Sequence, residues 1–100
     1  MTVLGSSFSL SANEKRITDA ELIRAICSMI AGEYEATRVY MQLAEATDNR
    51  LAVAVLKDIA NEERVHVGEF LRLLREIAPD EEKFYEEGAE EVERMIRKMK

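Results

Sequence analysis

Cysteine and histidine each occur once in this 100-residue chain, tryptophan is absent, and there is a single proline. One cysteine excludes an intramolecular disulfide framework and a cysteine-rich zinc module. One histidine excludes any site that takes two imidazoles from the same chain. Basic residues are in deficit, 14 Lys and Arg against 20 Asp and Glu, for a formal net charge of −6. No basic stripe is left to track a phosphate backbone, so nucleic acid is not an expected partner. No apolar run reaches the ~18–20 residues that span a bilayer. The N-terminus lacks a basic stretch followed by a hydrophobic core, so no secretory signal is expected. These absences predict a reduced, cytoplasmic protein with no membrane partner.

What is present points to helices. Hydrophobic residues make up 47% and charged residues 34%, with only four glycines, a balance that suits a packed helical chain rather than disorder. The length allows one small domain, which buries roughly 60–65% of its unfolded surface. Residues 1–17 are serine-rich and lack a helical stripe. They read as an arm that packs on a partner through Val3, Leu4, Phe8 and Leu10. The helical domain is expected over residues 18–100.

Thr18-Asp19-Ala20-Glu21 has the form of a capping box. From there an apolar repeat runs through Ile23, Ile26 and Ile30, then Glu33, Thr37, Tyr40 and Ala44. Thr47-Asp48-Asn49 has turn chemistry. A second repeat follows through Ala52, Leu56, Ile59, Glu63, His66, Phe70, Leu73 and Ile77. Pro79 is expected to end it, with Asp80 as the cap of a third helix whose first turn is acidic. That helix sets Tyr85, Ala89, Val92, Ile96 and Met99 on one side and finishes basic. The predicted helices cover about 19–47, 50–77 and 81–98. The fold expected is all-α: an antiparallel two-helix hairpin with a shorter C-terminal helix.

The second repeat steps alternately by four and three, which is a seam of heptad a and d positions. Two central positions of that seam hold Glu63 and His66, and the corresponding row of the first helix holds Glu33. Carboxylates and an imidazole are costly to bury unpartnered, so their place in apolar rows needs a reason. Glu33 lies fifteen residues before Asp48 and Glu63 fifteen after it. At about 1.5 Å rise per residue an antiparallel hairpin sets them side by side. His66 follows Glu63 by three residues and so shares its face. Oxygen and nitrogen donors of this kind suit iron or manganese, and zinc as well.

The donor count is half of what a di-iron carboxylate site needs. The four-helix pattern takes one Glu from each of two helices and Glu-x-x-His from each of the other two. This chain supplies Glu33 and a single Glu63-Arg64-Val65-His66. Two chains about a two-fold axis complete the set, and they also cover the apolar seam. The expected assembly is a homodimer that forms a four-helix bundle.

At the level of motif, Gly32-Glu33-Tyr34-Glu35, Leu43-Ala44-Glu45-Ala46-Thr47, and above all Asn61-Glu62-Glu63-Arg64-Val65-His66-Val67-Gly68-Glu69-Phe70 resemble the encapsulated ferritins. These are the half-ferritins of the ferritin/rubrerythrin superfamily carried inside encapsulin nanocompartments. Pro79-Asp80-Glu81 and Glu86-Glu87-Gly88-Ala89-Glu90-Glu91-Val92 match as well, and the likeness runs from about Thr18 to Lys100. It implies a ferroxidase that oxidises Fe(II) at a di-iron centre between two chains, with manganese, zinc or calcium as possible substitutes. It also implies dimers that join into a ring (a decamer), iron storage inside an encapsulin shell, and a targeting tail or fused shell protein beyond Lys100. Family ligands map onto Glu33, Glu63 and His66, with Glu63 the bridging carboxylate and Tyr40 beside the site. Glu35, with Glu62, is the candidate for drawing iron in, although Gly32 stands where some relatives carry another acid.

Plainer roles compete for several residues. Glu35, Glu62 and Glu69 fit a solvated helix face, Met29, Met41, Met95 and Met99 are gap-filling apolar residues, and Cys27 reads as a small buried residue. Two rival functions are a rubrerythrin-like peroxide scavenger, weakened by the missing cysteine pair, and a non-catalytic helical adaptor with a structural metal.

Overall fold

The computed structural model describes residues 16–100, which form three helices: α1 (Asp19–Ala46), α2 (Arg50–Ile77) and α3 (Pro79–Met99). Most of the arm expected over 1–17, with Val3, Leu4, Phe8 and Leu10, lies outside the described residues. None of the three helices is long and apolar enough to cross a membrane.

Local chemistry sets the ends of the hairpin. The Glu21 amide donates to Thr18 Oγ1 at 3.1 Å and the Thr18 amide donates to Glu21 Oε1 at 2.8 Å, closing the capping box. The α1 helix stops at Ala46, one residue earlier than expected, because Thr47 is extended. The Asn49 amide donates to Thr47 Oγ1 at 3.1 Å, and Asn49 Oδ1 then accepts from the Ala52 amide at 2.9 Å to start α2. Three residues thus reverse the chain. Early α1 meets late α2 in a cluster of Ile26, Leu74 and Ala78, flanked by Ile23, Ile30, Phe70 and Ile77. The hairpin is therefore antiparallel.

The start of α3 differs from expectation. Asp80 is not its cap: the helix begins at Pro79, and Ala78, with φ −135° and ψ 60°, breaks the chain between α2 and α3. Proline needs no hydrogen bond at the first helical position and its fixed φ suits it, so Pro79 opens α3 rather than merely closing α2. Asp80, Glu81 and Glu82 fill the first turn as the dipole favours. An ion pair between Arg75 Nε and Glu82 Oε1 at 3.7 Å ties α3 back to α2.

The buried residues of α2 are Ala60, Val67 and Leu74, each one position after the seam residues Ile59, His66 and Leu73. The most enclosed line of α2 is thus offset by one residue from the seam, which is half-buried at Ala52, Leu56, Ile59, Glu63, Phe70 and Ile77, exposed at His66 and Leu73, and meets α1 at its edge through Phe70, Ile77 and His66. No residue of α3 is buried, and Phe84, Tyr85, Val92, Met95, Ile96 and Met99 lie open. Cys27 is exposed, not buried as expected: its neighbour Ile26 takes the position facing α2. With extents of 55 × 46 × 16 Å the described chain is flat.

Candidate metal centre

Glu33 on α1 and Glu63 and His66 on α2 come together half-way along the hairpin. His66 Nδ1 lies 2.9 Å from Glu33 Oε2 and 3.4 Å from Glu63 Oε1. One donor atom from each of the three residues falls within 4.8 Å of the others, and theirs is the one such grouping among the described residues. Two donors on one ion with bonds of about 2.0–2.2 Å sit no more than about 4.4 Å apart, so small side-chain rotations place all three on a shared metal. The side chains of Glu33 and Glu63 are 20% and 17% exposed and that of His66 is 49% exposed. The two carboxylates are therefore held in the cleft while the imidazole stands at its open side.

Electrostatics supports a site built for cations. Removal from water and the adjacent Glu33 carboxyl push Glu63 above its ordinary value, while His66 pulls the other way. The hydrogen bond that the His66 ring donates to Glu33 raises His66, against the cost of removing it from water, and the charges of Glu33, Glu63 and Glu69 add to the rise. Without a metal, the cluster thus holds protons that a divalent cation would displace. Thr37 Oγ1 donates to the Glu33 carbonyl at 2.8 Å, a back-bond to the preceding turn that runs beside the ligand.

The other candidates stand outside the group of three. Tyr40 is half-buried two turns along α1 from Glu33 on the same row. Glu35 is exposed and engaged by Arg38, whose Nη2 and Nε lie 2.5 Å and 3.2 Å from its carboxylate oxygens. That contact holds the Glu35 carboxyl below its ordinary range and raises Arg38. Glu62 is exposed beside the seam. Two partners escaped the reading of the sequence: Arg38 for Glu35 and Glu69 for His66. Both sit three residues along their helix, a spacing that could have found them.

Set against known proteins, residues 25–99 match the family profile of rubrerythrin. The chain belongs to the rubrerythrin family. Within it, 87 residues are 32% identical to the ferritin-like–encapsulin shell fusion protein of Pyrococcus furiosus, covering 87% of this chain and 25% of that protein. Over 76 residues the chain is 34% identical to the encapsulin nanocompartment cargo protein EncC of Myxococcus xanthus, covering 76% of this chain and 58% of that one. It therefore spans a quarter and somewhat over half of these two relatives. The crystal structure of the encapsulated ferritin domain from Pyrococcus furiosus superposes with a TM-score of 0.76 at 33% identity, over 81% of this chain and 83% of that one. The resemblance to encapsulated ferritins and the all-α fold are both borne out.

Proposed function

We propose that the chain is a ferroxidase subunit, oxidising Fe(II) to Fe(III) at a di-iron centre that two copies share, for mineralisation inside an encapsulin shell. The observation that carries this reading is the convergence of Glu33, Glu63 and His66 on the open flank of an otherwise apolar seam. The chemistry of that donor set fits iron: two hard carboxylates favour the higher charge, and one imidazole keeps the lower state bound. Manganese and zinc fit the same donors, and calcium fits less well because it takes oxygen ligands alone. A bound metal pair would supply two electrons to dioxygen or peroxide while keeping open positions for it.

The chain's own residues act by holding and exchanging charge. Glu63 lies next to both Glu33 and His66 and would hold metal together with them, as the carboxylate placed to be shared between two ions. Glu33 fixes the His66 ring through Nδ1 before metal arrives. Both Glu63 and His66 give up protons as cations bind, which offsets the incoming charge. Tyr40 is the candidate to hydrogen-bond a ligand from outside the cluster. Glu35 and Glu62 serve as exposed acids that draw Fe(II) toward the cleft, Glu35 by exchanging its arginine for the cation.

Two chains joined along the seam would bring four carboxylates and two imidazoles together and cover Leu56, Ile59, Phe70 and Leu73. Such dimers would assemble into a ring, a decamer, and the cytoplasmic encapsulin compartment would supply the storage volume that a plate 16 Å thick lacks. The two relatives named for encapsulin association support that partner. Stopped-flow Fe(II) oxidation tests the reading. Glu63→Ala is expected to slow oxidation by at least about 100-fold, a barrier increase of roughly 2.7 kcal/mol. A variant as fast as the parent would refute it.

A further inference from the structure

The α3 helix has no buried residue, although its sequence is patterned to bury a face. Tyr85, Ala89, Val92, Ile96 and Met99 follow one another at steps of four and three, the spacing of a helix seam. Met95 widens that stripe, and all of these residues are exposed. The hairpin holds α3 only near its start, at the Ala78 joint and through the ion pair of Arg75 with Glu82 at 3.7 Å. The row that carries Glu63 and His66 lies on α2, so the stripe on α3 is a second apolar surface.

Charge along α3 says what can cover it. Residues 80–93 hold eight acids and one lysine, whereas residues 94–100 hold four bases and no acid. A second copy laid parallel would set acid beside acid and base beside base, and like charges at close range repel. Laid antiparallel with Val92 at a two-fold axis, it brings Arg94, Arg97 and Lys98 to the levels of Glu90, Glu87 and Glu86 of the other helix. Side-chain size agrees. In that register Tyr85 lies opposite Met99, and Gly88 and Ala89 lie opposite Ile96 and Met95. Glycine inside a helix costs about 1 kcal/mol relative to alanine, yet a Cβ at Gly88 would meet nothing within 4 Å. Its smallness is not required by its own chain, and it leaves room for a long side chain from a second.

We infer that α3 is a self-association surface, pairing antiparallel with α3 of a second copy through Tyr85, Val92, Met95, Ile96 and Met99. The inference does not rest on the ferroxidase reading. Together with the proposed contact along the seam, it gives each chain two different faces for two neighbours, which is what closing dimers into a larger ring requires.

The test uses the full chain with metals removed by chelator. In a Cys27→Ser background, chains carrying Tyr85→Cys are mixed with chains carrying Met99→Cys and oxidised in air with copper phenanthroline. Each disulfide forms from two thiols, whose electrons pass to dioxygen. Mass spectrometry is expected to find mainly the mixed disulfide, because position 85 of one copy faces position 99 of the other. In sedimentation velocity, Val92→Glu should reduce the mass of the assembly by about half or more, with helical content unchanged by circular dichroism. Lys83→Gln, on the polar side of α3, should sediment as the parent does. If Val92→Glu lost helix, the cross-link alone would decide. Disulfides mainly between like variants, no disulfide at all, or an undiminished mass for a helical Val92→Glu would overturn the assignment. Because no iron is present, failure here leaves the ferroxidase reading standing, and loss of iron oxidation leaves this one standing.

Discussion

The residues that define the cluster are those that break an apolar rhythm. Glu33, Glu63 and His66 occupy row positions where a hydrophobe is expected, and the fold sets them within 4.8 Å of each other. Their protonation links stability to pH. Glu63 rises above its ordinary 4.5 and His66 above its ordinary 6.5, so both bind protons more tightly folded than unfolded. Such groups stabilise the fold fully below their ordinary values, and that contribution is lost as pH rises through the raised ones. The chelated protein is therefore expected to melt at a lower temperature at pH 8 than at a pH of about 5–6, as a set of thermal scans would show. Metal uptake should run the other way, tightening as pH rises and releasing protons that a pH-stat can count. A second expectation concerns the imidazole. His66→Ala should weaken Fe(II) or Mn(II) binding by at least roughly tenfold in an anaerobic titration, since it removes one of three donors.

At the scale of elements, the caps and the height of the cluster were legible because each depends on a few neighbouring residues. Thr18 and Glu21 close the predicted box, and Asn49 starts α2 where turn chemistry placed it. Asn49→Ala should lower stability by about 1 kcal/mol in urea denaturation, by removing the bond to the Ala52 amide. Less was legible at Pro79, because proline can end one helix or open the next, and only the backbone angles of Ala78 decide between them. The face of α2 that meets α1 was also hidden. Apolar residues occupy both the seam at Ile59 and Leu73 and the buried line at Ala60, Val67 and Leu74, so periodicity alone cannot say which line is most enclosed. Cys27 was misread for the same reason, one position from buried Ile26. Ala60 is fully buried one turn before Glu63. Ala60→Leu should therefore cost roughly 1–3 kcal/mol of stability and weaken metal binding, by spreading the helices at the level of the ligands.

The described chain is flat with a small core, and its exposed apolar side chains include Leu73 on the seam and residues along the length of α3. A chain with so little buried surface would gain stability from the proposed association, in which one imidazole per chain is a half-site's share. Leu73→Glu, on the exposed part of the seam, should shift the sedimentation profile toward monomer and slow iron oxidation together, with α1 and α2 still helical. The most direct test is anomalous diffraction at the iron edge from crystals grown with Fe(II). The shared centre predicts two iron peaks about 3.5–4 Å apart, each held by residues of two chains, with Glu33, Glu63 and His66 of both copies around them. Iron bound by a single chain, or no iron peak near Glu63, would contradict it.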